Sequence, residues 1–254
     1  MIYFVGAGPG AKDLITVRGM RVLSEADCII YAGSLVNPAL LGYASSNCVI
    51  HDSASMTLEG VIAVMMDNEQ AGLTTARLHT GDPSLYGAIQ EQIEILSNQG
   101  IAFEVIPGVS AFSGAAAALG VEYTLPGISQ SLILTRMAGR TPVPEKESIP
   151  ALAHHQSSMA IFLSAGMLSN LSAELIEGGY SPDTPAAIVY KATWPDQKIV
   201  RTSIAALEDA AASANISRTA IILVGDFLGG EFERSYLYNP SFSHGYRQGS
   251  DSDQ

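Results

Sequence analysis

The chain has little positive charge: 13 Lys and Arg stand against 25 Asp and Glu in 254 residues, a formal charge of −12. A nucleic-acid or anionic-membrane surface finds no overall attraction here, and any anionic ligand must be met by a local group of basic side chains. Only two cysteines occur, Cys28 and Cys48, and they lack metal-ligand spacing. They read as free thiols in a reducing cytosol. No apolar run approaches the ~20 residues that span a bilayer, and no basic segment precedes an apolar one at the N-terminus. The expectation is a soluble, cytoplasmic protein. Gly-x-Ser-x-Gly is absent, and the five histidines fall in no triad or metal spacing, with His154-His155 in a polar connection. No catalytic residue and no metal ligand is assigned, which favours chemistry that needs only binding, alignment and exclusion of water.

What the chain does have is glycine and proline where strands end. Val5-Gly6-Ala7-Gly8-Pro9-Gly10-Ala11 follows an apolar strand over 1–5, Gly81-Asp82-Pro83 follows a strand over 74–78, and Pro107-Gly108-Val109-Ser110 follows one over 102–106. A parallel sheet binds its ligand outside the carboxyl ends of its strands, and glycine lets the backbone approach closely enough to hold a ligand by its amides. Three such turns describe one binding crevice for a small molecule.

Helices predicted over 16–24 with Thr16 as N-cap, over 58–70 with Gly72 just beyond, and over 88–98 closed by Gly100 alternate with these strands and with 28–31. A further helix with Ala111 and the small residues 115–118 follows Pro107-Gly108. Leu125-Pro126-Gly127 interrupts the pattern. A second alternation has strands over 131–135, 160–164, 186–190 and 220–224, with helices over 168–177 and 204–214. The fold class is α/β with two domains, 1–122 and 123–234; the Ser-, Gly- and Asp-rich end, 235–254, reads as a disordered tail.

Gly6-x-Gly8-x-x-Ala11 fits the dinucleotide fingerprint only in part. Pro9 and Gly10 delay the helix, and the second strand runs into Tyr31-Ala32-Gly33-Ser34 without the acidic residue that would hold a ribose. In Thr80-Gly81-Asp82-Pro83-Ser84, a turn with Asp82 capping the next helix explains the Asp-Pro pair but not the flanking glycines.

Taken in order, Tyr3-Phe4-Val5-Gly6-Ala7-Gly8-Pro9-Gly10, Thr80-Gly81-Asp82-Pro83 and Glu104-Val105-Ile106-Pro107-Gly108-Val109-Ser110 resemble the tetrapyrrole methyltransferases that use S-adenosylmethionine, over roughly residues 1–228. Within that family, Tyr31-Ala32-Gly33-Ser34-Leu35-Val36, the run from Leu134 to Pro144 and Tyr190-Lys191-Ala192-Thr193-Trp194-Pro195 are similar to the cobalamin-pathway members that methylate C-11 of precorrin-4, with a lean toward the cobalt-bearing substrate. The resemblance implies two α/β domains with mainly parallel or mixed sheets, the donor in a cleft between them, and a homodimer. It implies cofactor contacts from Pro9, Thr80, Gly81, Asp82, Leu85, Ser110 and Ala111, joined in the second domain by Ser164 and Ala192. It also implies that Gly8 and Gly10 line the macrocycle trough. The acetate and propionate groups of such a substrate call for basic side chains, and Arg136, Arg140 and Lys191 follow strand ends, while Lys12 and Arg18 border the first glycine loop. A non-catalytic tetrapyrrole carrier, or a relative acting on a translation factor or ribosomal RNA, remains open; the acidic balance weighs against the macromolecular targets.

Overall fold

The computed structural model describes residues 1–230 and 232–250. The chain divides into two units, one formed by Met1–Ala118 with Lys191–Gln197, the other by Leu119–Tyr190 with Lys198–Gln254. The division comes a few residues before the expected 122/123, and the assignment of Lys191–Gln197 to the first unit is invisible in the sequence.

The first unit is built on five strands, β1 (Ile2–Gly6), β2 (Cys28–Tyr31), β3 (Val49–Asp52), β4 (Thr75–His79) and β5 (Phe103–Ile106), all parallel in the order β3-β2-β4-β1-β5. Side chains alternate across the pleat, so both faces are apolar, as a doubly covered parallel sheet requires. On one face Val5, Ile29, Ala76, Leu78 and Ile106 pack with Val22 and Leu23 of α1 (Val17–Glu25). On the other, Ile2, Phe4, Cys28 and Ile30 pack with Val61, Ile62 and Met65 of α2 (Leu58–Gln70) and Leu96 of α3 (Gln90–Asn98). Thr16 caps α1 by accepting from Gly19 N at 3.1 Å, as the sequence predicts, and Thr57 caps α2 in the same way. Helix α3 starts two residues later than expected, because Tyr86 and Ala88 hold left-handed backbone, φ +57° and +48°, that no helix can include. The unit's last helix, α4 (Ala111–Leu119), runs one residue past its boundary.

The second unit holds β6 (Leu132–Arg136), β7 (Ser158–Phe162), β8 (Pro185–Tyr190), β9 (Lys198–Ser203) and β10 (Ala220–Val224) in the order β6-β7-β10-β8-β9. Only β6 and β7 are parallel; β10 runs antiparallel to both its neighbours, and β8 to β9, so the sheet is mixed. Met159, Ile161, Ala186, Ile188, Ile222 and Val224 form one core with Ile149 and Ala153 of α5 (Ile149–Ala153), Leu168, Leu171 and Leu175 of α6 (Leu168–Glu177), and Leu207 and Ala211 of α7 (Leu207–Ser213). The expected helix over 204–214 is a 3-10 turn, Ile204–Ala206, followed by α7. The expected strand over 160–164 is shifted to Ser158–Phe162. Leu163 at φ +54° turns the chain there, and the Ser164 hydroxyl donates back to the Phe162 carbonyl at 2.7 Å.

The tail reading needs correction for 235–250. Ser235 caps a 3-10 turn over Tyr236–Tyr238, and the Arg247 guanidinium donates to the carbonyls of Leu237, Asn239 and Phe242. One arginine supplies the organising bonds that the sparse apolar content does not. Residues 251–254 of that tail lie outside the described residues.

Candidate functional site

Strand β1 lies between β4 and β5, so the three glycine-bearing turns emerge side by side from the carboxyl edge of the first sheet. The chain leaves β1 toward β2 and leaves β4 toward β5, in opposite directions, the arrangement at which open parallel sheets bind ligands outside their strand ends. The turns are bonded to one another. Gly8 and Gly81 exchange backbone hydrogen bonds at 3.2 and 2.9 Å. A Cβ on Gly108 would stand 2.1 Å from the Gly81 carbonyl oxygen and 2.8 Å from Gly6 Cα, so glycine at 6 and 108 is what lets the backbones touch. Gly81 is different: its φ of +61° demands glycine, yet a Cβ there would meet only Ala111 N at 3.5 Å and Ser110. The glycine thus keeps a side chain from standing in front of the amide at the start of α4.

Asp82 completes the arrangement. One carboxylate oxygen accepts from Gly108 N at 2.8 Å, and the other accepts from the amide of Ser84 at 2.9 Å and from its hydroxyl. Partial burial pushes this carboxyl up, but the Ser84 hydroxyl and the Gly108 and Ser84 amides outweigh it and hold the group below the usual carboxylate range. Asp82 therefore joins two turns and does not cap α3, which begins only at Gln90. Around it Thr80 is exposed, Leu85 and Ala111 are half-buried, and Ser110 is buried.

The first unit also receives a segment from far along the chain. Ala192, expected in the second domain, belongs with the glycine loop: its carbonyl oxygen would be 2.7 Å from a Cβ on Gly10. The Lys191 ammonium pairs with Asp196 at 2.6 Å and lies 5.0 Å from the Trp194 ring centroid. Thr193 Oγ1 accepts from Ala11 N at 2.9 Å, and Trp194 Nε1 donates to the Pro9 carbonyl at 3.2 Å. Neither residue was given a site role from sequence, nor was Asn37, whose amide donates to the Gly10 carbonyl at 2.8 Å. The available signal was the lone tryptophan beside a Lys-Ala-Thr run.

Arg136, Arg140 and Ser164 lie in the second unit. The Arg136 guanidinium donates to the carbonyls of Met137, Thr141 and Pro142, holding the loop after β6 in shape. Arg140, on that loop, is exposed. Ser164 is fully buried; its hydroxyl donates to Phe162 and accepts from Met137 N at 3.0 Å, so that hydroxyl is committed to joining the ends of β6 and β7. Lys12 lies over the Tyr43 ring, and Arg18 pairs with Glu104.

Beneath the turns, on the α2/α3 face of β4, Arg77 and His79 are both buried. Arg77 donates to the Ile30 carbonyl and the Ser53 hydroxyl, and burial pushes it down to about 10. Burial, reinforced by Arg77, pushes His79 down to about 3, so its imidazole is neutral. Among the described residues no group of three or more His, Cys, Asp or Glu could hold a metal ion. The arrangement is suited to gripping a ligand through backbone amides and shape.

Comparison with known proteins gives the family. Residues 1–208 match the model of the tetrapyrrole (corrin/porphyrin) methylases. The chain is 51% identical to the cobalt-precorrin-4 C(11)-methyltransferase of Methanocaldococcus jannaschii, over 97% of this chain and 96% of that one. It is 46% identical to the precorrin-4 C(11)-methyltransferase of Pseudomonas aeruginosa, over 98% and 99%. A solved structure of a cobalamin biosynthetic enzyme, cobalt precorrin-4 methyltransferase, superposes with a TM-score of 0.87 at 45% identity, over 89% of this chain and 95% of the other. With the match spanning most of the chain and the relatives matched along almost their whole length, this protein belongs to the tetrapyrrole methylase family.

Proposed function

We propose that the protein transfers the methyl group of S-adenosylmethionine to C-11 of cobalt-precorrin-4, giving cobalt-precorrin-5A in corrin biosynthesis. The observation that carries this reading is the 51% identity, along nearly the whole length of both chains, to a relative named for that reaction. Supporting a donor site in the first unit, no side chain at Gly81 stands before the Ala111 amide, and the turns after β1 and β4 are bonded to each other. Thr80, Gly81, Asp82, Leu85, Ser110 and Ala111 would hold the donor, with Pro9 and Ala192 beside it. Gly8 and Gly10 would face the macrocycle.

When bound, S-adenosylmethionine supplies an electrophilic sulfonium methyl and leaves as S-adenosylhomocysteine. The residues of this chain have to align and shield. An electron-rich ring carbon attacks directly and becomes quaternary, so no side chain need remove a proton from that carbon, in keeping with a neutral buried His79 and no acid–base pair at the turns. Alignment of this kind contributes roughly 7–11 kcal/mol to barrier reduction. Water exclusion by close-packed glycine turns favours a step that neutralises the sulfonium. Arg140, on the loop that Arg136 shapes, would meet substrate carboxylates, as would Lys191, and either suits that task more than donor binding.

The same reading takes the protein as a cytoplasmic homodimer that binds no nucleic acid. It is supported by the −12 charge, by the family resemblance and by the absence, among the described residues, of any helix long and apolar enough to cross a membrane. Light scattering on the purified protein tests the dimer. A second reading, methylation of metal-free precorrin-4, is favoured by the 46% identity to a relative named for that substrate. Incubation of each macrocycle with isotopically labelled donor decides between them. Carbon NMR should place a single label at C-11, and the cobalt form should turn over faster; label at C-17 or C-20 would assign the chain to a different member of the family.

A further inference from the structure

Strands β8 and β9 are antiparallel neighbours, and connections between such strands commonly take 2–5 residues. Here the chain leaves β8 at Tyr190 and returns at Lys198 after the seven residues Lys191–Gln197, which belong to the other unit. Lys191 and Thr193 hold left-handed backbone, φ +45° and +67°, an unfavourable conformation for a β-branched threonine. Internal bonds preserve it: Thr193 N donates to Gln197 Oε1 at 2.6 Å and Trp194 N to the Lys191 carbonyl at 3.0 Å.

The strained turn delivers two side chains to the first glycine loop. Three consecutive loop residues each have one backbone group held by a side chain from elsewhere: the Pro9 carbonyl by Trp194, the Gly10 carbonyl by Asn37 and the Ala11 amide by Thr193. Packing follows the same plan. A Cβ on Gly10 would stand 2.0 Å from Trp194 Cδ1, and one on Gly114 of α4 would stand 2.6 Å from Pro9 and 3.4 Å from Thr193. The loop is thus shaped from outside, by side chains two of which stand on a turn with strained backbone at Thr193.

We propose that Thr193 and Trp194 are positioning residues that set the Pro9-Gly10-Ala11 loop in the form that receives the tetrapyrrole. The role rests on the reading that this loop faces the macrocycle. It separates the loop's function from that of the Gly81–Asp82 turn: loosening the clamp weakens macrocycle binding more than donor binding, which Pro9 would touch at one point only.

The test uses the full-length protein and three variants, Trp194→Phe, Thr193→Val and Thr193→Ser. Each of the first two removes one hydrogen bond to the loop and should raise KM for cobalt-precorrin-4 about five- to tenfold. The value of kcat should stay within about twofold, the Kd for S-adenosylhomocysteine should rise less than KM does, and the melting temperature should fall by no more than a few degrees. Thr193→Ser keeps the acceptor oxygen and should restore KM. Trp194 is the chain's one tryptophan, so its emission should move to longer wavelength in Thr193→Val as the clamp loosens. Unchanged KM in both variants, an equal loss of donor affinity, or a serine variant no better than valine would overturn the role. An unaltered protein that methylates neither form of the macrocycle would overturn the proposed function and this role with it, whereas active protein with unaffected variants would overturn the role alone.

Discussion

The amide nitrogen of Gly108 lies 2.8 Å from the Asp82 carboxylate, and this bond ties the turn after β4 to the turn after β5. A charged acceptor makes it stronger than an ordinary backbone bond. Replacing Asp82 by Ala should lower unfolding stability by about 1.5–3 kcal/mol in chemical denaturation and weaken S-adenosylhomocysteine binding at least tenfold by calorimetry. Because the folded carboxyl sits below its usual range, its contribution is whole above about pH 4 and is lost as pH falls through the folded value. The alanine variant should lack that part of the acid-induced loss.

Glycines 81 and 108 should respond differently to a methyl group. At Gly108 the added carbon meets fixed backbone at 2.1 Å, so Gly108→Ala should cost about 3 kcal/mol or more or fail to fold. At Gly81 the space is adequate and the cost is conformational, about 1–2 kcal/mol for Gly81→Ala. Gly81→Val should remain largely folded by circular dichroism while losing donor binding, because its branches reach toward the Ala111 amide. Normal donor affinity in folded Gly81→Val would make this turn purely structural.

His79 provides a stability signature in mildly acidic solution. Its imidazole stays neutral in the folded protein down to about pH 3, while in the unfolded chain it takes up a proton near pH 6.5. Between those values the unfolded state binds more protons, so stability falls as pH falls. The residue should account for about 1–2 kcal/mol lost between pH 6.5 and pH 5. Urea unfolding of His79→Gln at the two pH values should show that difference largely gone.

On the second unit, Arg140→Ala should raise KM for the tetrapyrrole several-fold and leave donor binding intact. Arg136→Ala should act in the same direction by releasing the loop that three carbonyl contacts hold. Its stability cost should stay below about 1 kcal/mol, since the freed carbonyls can meet water. Steady-state kinetics on both single variants and the double variant check this, and unchanged kinetics in all three would assign both arginines to the surface.

Removal of the chain after Arg234 should leave methyl transfer essentially unchanged, because the Arg247-centred loop is organised by its own carbonyls. Activity and light scattering on the truncated protein test this together, and loss of either would show that the segment docks elsewhere.

The sequence by itself determined the central elements and the place of the three glycine turns. Strands β2 and β10 and helices α2 and α6 lie where apolar spacing predicts them, because a repeating pattern of burial is written locally in residue type. Glycine clusters marked the three turns for the same reason: left-handed or close-packed backbone restricts residue choice at the position itself. Edge strands β3 and β9, largely exposed, carry no such pattern and went unread. Tertiary structure alone decided how the polar side chains are used. Asp82 finds Gly108 across 26 residues, Thr193 finds Ala11 across 182, and Trp194 finds Pro9 across 185. Ser164 turns inward to Met137, and Ala192 joins the unit of the glycine loop. These partnerships depend on where the chain returns in space, and no local periodicity records that.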